Sequence, residues 1–214
     1  MFFSMLAVLI FTYIIAAVLM AKGQFTITLP REQMVNLGLV LSDTPDFARP
    51  RHEILSPPVI DLWNISEGDI PANVDQVDGS HNGPNHLAMT FYLKNIGHSS
   101  LEYNMFFELN DISRNVDEAL RIKIYEDGVP ILYAKEKSDS SGDAESGTMK
   151  FSGRTRIIIR PLRRITPQEF HKYTVVAWIE GDDPDCGNDL LGGYVKMTMR
   201  FDAKTAKADT DTIV

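Results

Sequence analysis

A single cysteine, Cys186, stands in a chain of 214 residues. That excludes an internal disulfide, and with it a disulfide-built secreted module. The chain also lacks a positive balance. Its 21 basic and 29 acidic side chains leave a net charge of −8, which argues against a nucleic-acid partner. Arg154, Arg156, Arg160, Arg163 and Arg164 do cluster, but at alternating strand positions such a group reads as a solvated face rather than a phosphate-binding stripe. Catalytic signatures are missing too. There is no Walker loop, no His-Glu-x-x-His and no Cys-x-x-Cys, and no serine sits in a Gly-x-Ser-x-Gly elbow. His52, His98 and His171 are scattered. The expectation is a protein that is not an enzyme and binds no cofactor, with calcium, considered below, as the one alternative.

Charge is absent altogether from residues 1–21, MFFSMLAVLIFTYIIAAVLMA. About 20 apolar residues let a helix cross a bilayer core of about 30 Å. A buried core helix would carry a polar face, and only Ser4, Thr12 and Tyr13 interrupt this run. It reads as a membrane span or a signal segment. Its length favours a retained anchor, while Ala16, Ala17 and Ala21 leave cleavage after Ala21 open. Orientation is weakly encoded, because the basic residues Lys22 and Arg31 follow the run. The acidic remainder offers nothing to a cytoplasmic anionic leaflet. The expected location is the cell membrane with the domain outside, or the cell surface after cleavage.

Four units are expected: the transmembrane or signal segment (1–21), a membrane-proximal strand, short helix and irregular covering segment (22–85), a β-sandwich domain (86–201) and a flexible tail (202–214). FTITLP alternates Phe25, Ile27 and Leu29 with two threonines and stops at Pro30, a strand signal. Pro30, Glu32 and Gly38 bracket a short helix over 31–37. Residues 42–85 are rich in proline and turn formers and are expected to hold little regular structure; within them VIDLWNI reads as one apolar turn packing on the domain. From His86 the period becomes two. Leu87, Met89, Phe91 and Leu93 share a face, as do Leu101, Tyr103, Met105 and Phe107; then Tyr173, Val175, Ala177 and Ile179; then Val195, Met197, Met199 and Phe201. Asp127-Gly128 predicts a tight hairpin turn. Asn115 with Glu118, and Thr166 with Glu169, have the spacing of capping boxes and predict short helices at 115–120 and after Thr166. About seven or eight short strands without βαβ alternation define an all-β fold: an antiparallel β-sandwich, jelly-roll or immunoglobulin-like, with short helical turns.

WIEGDDPDCGNDLLGG, residues 178–193, joins two strongly patterned strands and is therefore a loop at one end of the sandwich. It is no EF-hand: counted from Asp183, the sixth position is Asn188 rather than glycine and the twelfth is Tyr194 rather than glutamate. Two readings stay open. Carboxylates around Pro184 and Gly187 suit a solvated turn, or Asp182, Asp183, Asp185 and Asp189 converge on a divalent cation, calcium above all. Aspartate neighbours disfavour a reactive Cys186 thiolate. Asp75, Asp78, His81 and His86 fall close together but match no rigid zinc template. Asn64-Ile-Ser fits a glycosylation acceptor. Phe25, Ile27 and Leu29 suggest an assembly strand. After cleavage at Ala21 the new terminus could add to a neighbour's open sheet edge; with the span retained, the same strand should pair within its own domain.

The apolar start, FTITLP directly after it, FYLKNIG, DEALRIKIYEDG and WIEGDDPDC followed by a glycine pair resemble bacterial single-span surface proteins related to the TasA/camelysin (SipW-dependent) fibre-subunit class. The resemblance covers about Phe25 to Phe201. It implies a jelly-roll β-sandwich, export through a specialised signal peptidase and assembly into matrix fibres. The functional expectation is an exported or membrane-anchored cell-surface protein acting by binding or assembly, including as a matrix fibre subunit. The alternative is an accessory or sensor domain of a cell-envelope complex. The expected partners are the membrane, through residues 1–21, and a second copy of the chain by strand addition after cleavage, with no nucleic acid.

Overall fold

Period-two patterning becomes two packed sheets in the computed structural model, which describes residues 25–59 and 62–207 together with Met5, Leu6 and Ile10. The expected span or signal segment, those three positions apart, lies outside the described residues, as does the tail from 208. Among the described residues no helix is long and apolar enough to cross a membrane. In chain order the elements are β1 (Phe25–Thr28), α1 (Arg31–Leu37), β2 (Leu39–Ser42), β3 (Glu53–Ser56), β4 (Gly79–Ser80), β5 (Leu87–Asn95), β6 (Leu101–Ile112), β7 (Leu120–Glu126), β8 (Val129–Ala134), β9 (Met149–Lys150), β10 (Arg156–Ile165), β11 (Phe170–Ile179) and β12 (Val195–Thr205). One sheet runs β10-β6-β12-β1-β3. The other runs β2-β5-β11-β7-β8-β9, with β4 also pairing β5.

The faces read from the sequence meet between these sheets. Leu87, Met89, Phe91 and Leu93 of β5, and Tyr173, Val175 and Ala177 of β11, face Tyr103, Met105 and Phe107 of β6 and Met197, Met199 and Phe201 of β12 in one continuous core. Aromatic contacts knit it: Phe91 stacks on Tyr173 at 5.5 Å and meets Phe201 edge-on at 6.0 Å. The opposite faces of β5 and β11 are buried as well. Val74, Ile65 and Ile70 of the covering segment pack on Ala88, Val176 and Trp178, and Thr90 and Thr174 satisfy each other's hydroxyls at 2.7 Å beneath them. In VIDLWNI, Val59 and Ile65 pack inward, whereas Leu62 and Trp63 are exposed.

Several details depart from the sequence reading. The sandwich is mixed rather than purely antiparallel, because β1 runs parallel to β12 and β9 parallel to β8. Residues 22–85 do more than cover: they supply β1 to β4, and β12 continues to Thr205, into the expected tail. Residues 115–119 form turns and a bend that lead into β7 at Leu120, not a helix. Arg114 and Asn115 both have positive φ, near 53° and 51°, which no right-handed helix start tolerates. At Thr166 only half of the capping box forms: its N–H donates to Glu169 Oε2 at 2.6 Å, while its hydroxyl donates to the same oxygen at 2.7 Å and the Glu169 N–H goes to Thr166 O at 3.1 Å. They close a tight turn instead of a helix, since Gln168 after Pro167 takes φ 68°, the geometry of a type II turn. The helix over 31–37 and the Asp127-Gly128 turn, with φ 51° and 82°, stand as read.

β1 lies inside its sheet. Phe25 pairs with Met197 of β12 on one side and with Ser56 of β3 on the other. Phe25, Ile27 and Leu29 are fully buried, and Phe25 stacks on Phe107 at 5.4 Å. The Gln33 side chain of α1 holds the next turn to the same neighbour, donating to Asp202 at 2.5 Å and accepting from Ala203 N–H at 2.8 Å. Phe25→Ala in a chain of residues 22–214 is expected to cost about 3–5 kcal/mol in urea unfolding, as for buried phenylalanines generally. A loss under about 1 kcal/mol would mean that β1 is not part of the cooperative core.

Candidate functional site

The loop between β11 and β12 closes one end of the sandwich, and local chemistry explains its path. Ile65 binds it from outside, its N–H donating to Ile179 O at 3.0 Å while Gly181 N–H donates to Ile65 O at 3.0 Å. Leu190, Val116 and Ala119 form a small apolar cluster beneath it, with Ile179, Cys186 and Val195 against them. The glycine pair at its end is required. Gly192 has φ 74°, and a Cβ on Gly193 would lie 2.3 Å from a Val116 methyl and 2.9 Å from two carbonyl oxygens.

Of the four aspartates read from the sequence, the fold brings two together. Asp183 is buried, and its Oδ2 takes the Arg121 guanidinium at 2.5 Å, both side chains almost without solvent contact. Its Oδ1 accepts the Asp185 N–H at 2.8 Å. Asp185 accepts the Ser138 hydroxyl at 2.6 Å. Glu145, from the polar connection between β8 and β9, completes the group: Glu145, Asp183 and Asp185 each place an oxygen within 4.8 Å of the others. Asp182 turns instead to the Ser66 hydroxyl at 2.7 Å, and Asp189 is exposed on a short 3-10 turn, Asn188–Leu190. Neither joins the group. Glu145 was not singled out in the sequence. It lies in KEKSDSSGDAESG, residues 135–147, whose polar turn formers mark a connection, but nothing local says where that connection folds.

This geometry fits a pinned loop better than a calcium site. Calcium takes six to eight oxygens. Here both oxygens of Asp183 are already engaged, one by a guanidinium that repels a cation. Arg121 Nη1 is itself buried without a partner among the described residues. Cys186 is free and half-buried, its sulfur accepting from Asn64 Nδ2 at 3.4 Å.

The other polar groupings are also spent on structure. His81 lies with its ring nitrogens against two backbone carbonyls, Gly79 O at 2.9 Å and Val74 O at 2.8 Å. Asp78 accepts the Tyr92 hydroxyl at 2.6 Å. His86 is buried, which lowers its pKa, and nearby His81 lowers it further. At the opposite end of the sandwich the Tyr103 and Tyr173 hydroxyls meet at 2.8 Å, and Tyr173 donates to Glu126 at 2.8 Å. Arg163 pairs with that same carboxylate at 2.8 Å, and Asp127 takes His171 at 2.8 Å. Burial pushes the Tyr103 phenol up to about 12. Both tyrosines are fully buried, so this chain of bonds satisfies core hydroxyls and offers none to a substrate. The arginine row is engaged at the surface: Arg156 binds Glu108 at 2.9 Å and, with Arg200, flanks the Phe106 ring.

No family model matches the chain, and no curated protein matches it. Among solved structures it is similar to a β-glucosidase from Kluyveromyces marxianus in complex with glucose, at 12% identity and a TM-score of 0.28. The match covers 80% of this chain and 16% of that one. A likeness that distant carries no argument about activity.

Removing one member of a buried ion pair strands the other charge, at about 3–5 kcal/mol. Asp183→Asn is therefore expected to lower stability by that order, and Asp189→Asn by less than about 0.5 kcal/mol, in urea titrations with and without calcium. Equal, calcium-dependent losses from the two would point instead to shared cation ligation.

Proposed function

We propose that this protein is a non-enzymatic β-sandwich held at the outer face of a membrane by its apolar opening segment, and that it acts there by binding. The observation that carries the reading is the position of β1. The apolar run ends at Ala21, and Phe25 is already fully buried between β12 and β3. The intervening residues Lys22, Gly23 and Gln24 leave no length for a flexible stalk.

Within this reading the sandwich is a jelly roll. With β1, β2, β4 and β9 set aside, strands β3-β12-β6-β10 face β5-β11-β7-β8, and successive strands from β5 onward cross between the sheets, the β7-β8 hairpin excepted, in the manner of two Greek keys. β1 is then an extra strand inserted beside β12. The inserted position also bears on the second reading, a cleaved fibre subunit that lends β1 to a neighbour. Such exchange must first empty a slot filled by Phe25, Ile27 and Leu29, and the tether is favoured for that reason.

Membranes from cells making the full chain, washed in alkaline carbonate, test the choice. The tethered reading expects the protein to remain in the membrane with residues before Lys22 still attached by mass spectrometry. A soluble product beginning at Lys22 would overturn it in favour of export and assembly.

A further inference from the structure

A short tether determines which end of the domain meets the lipid. β1 and β12 run parallel, and Phe25 is level with Met197, two residues into β12. Both strands therefore start from the end that carries the acidic loop. From Ala21 to Phe25 the chain reaches at most about 14 Å. The headgroup layer on one side of a bilayer is about 5–7 Å deep. If residues 1–21 span the membrane, the acidic-loop end lies within reach of the headgroups.

That end exposes two aromatic and two aliphatic side chains. Trp63 is 73% exposed, Leu191 66%, Tyr194 45% and Leu62 37%. Their places follow from the backbone. Trp63 N–H donates to Asn85 Oδ1 at 3.1 Å just before β5, and Tyr194 bonds through its backbone to Ser113, where β6 ends. Exposed apolar residues, Val35, Val129 and Phe170 among them, also occur away from this end, as on any protein surface. The two tryptophans, however, divide sharply: Trp178 is buried in the fold, and Trp63 stands out at the end from which the tether leaves. Tryptophan and tyrosine are the side chains that settle at the membrane–water interface, an apolar ring in one medium and a polar atom in the other.

We propose that the acidic-loop end of the sandwich rests on the lipid surface, with Trp63 and Leu191 entering the interface and Leu62 and Tyr194 beside them. This rests on the reading that residues 1–21 cross the membrane. The surface it fits is one of electrically neutral headgroups. Asp182 and Asp189 are exposed on the same end and repel an anionic layer, most strongly at low salt. Docked in this way, the domain presents the opposite end, with Asp127, Gly128 and the α1 region, away from the membrane.

The two tryptophans make the test direct. The full chain is reconstituted into phosphatidylcholine vesicles with and without brominated acyl chains, beside Trp63→Phe, whose emission comes from Trp178 alone. Flotation reports the span, and bromine and acrylamide quenching report Trp63. The expected result is co-flotation, loss of the Trp63 emission in brominated vesicles and shielding of that emission from acrylamide. Trp63→Phe should show neither effect. Replacing phosphatidylcholine stepwise by phosphatidylglycerol at low salt should weaken the bromine quenching. Co-flotation with Trp63 open to acrylamide and indifferent to bromine would overturn the docking and leave the span standing. Quenching that strengthens with phosphatidylglycerol would overturn the neutral-surface assignment. A chain that fails to float would overturn the span, and the docking with it.

Discussion

The insertion of β1 between β12 and β3 is the constraint on which the rest of the molecule depends. A four-residue strand alone has no stability in water. Here it gains main-chain partners on both edges and three fully buried side chains. In return it closes a sheet that would otherwise have a gap between its β12 and β3 strands. It also orients the molecule. Because β1 is parallel to β12, the segment before it and the loop before β12 belong to the same end of the sandwich.

That end concentrates negative charge, and the fold manages it by turning charge inward. Asp183 is neutralised by Arg121 of β7, and its second oxygen holds the Asp185 amide. A buried pair of this kind contributes little net stability beside an apolar equivalent, yet it is costly to break. Its effect is to hold one loop path. Ile65 from the covering segment and Ser138 from the connection between β8 and β9 add further ties, so three distant stretches of chain meet at a single loop.

The sequence made the sheet faces legible because burial imposes a strict period of two. Tyr173, Val175 and Ala177, or Met197, Met199 and Phe201, could be assigned inward from spacing alone. Pairing direction and strand order left no such local trace, and the alternation of β1 fits pairing within its own domain as well as with a neighbour's sheet edge. At the acidic loop, four aspartates looked alike. The one that is buried is chosen by Arg121, 62 residues away in the chain. Local rules were overridden where tertiary packing set the backbone. Asn115 has the spacing of a helix cap but takes a positive φ, and Val116 and Ala119 reach their apolar contacts with Leu190 from a turn.

The central claim is that β1 belongs to the folded core of its own chain, immediately after the apolar run. Native-state hydrogen exchange of the full chain tests it most directly. Amides of the outermost elements exchange by local fraying, whereas core strands open only with global unfolding. The account predicts that the amides of Thr26, Ile27 and Thr28 exchange as slowly as those in the centres of β6 and β12, and with the same dependence on denaturant. Exchange of those three amides at fraying rates, with β6 and β12 still protected, would contradict it.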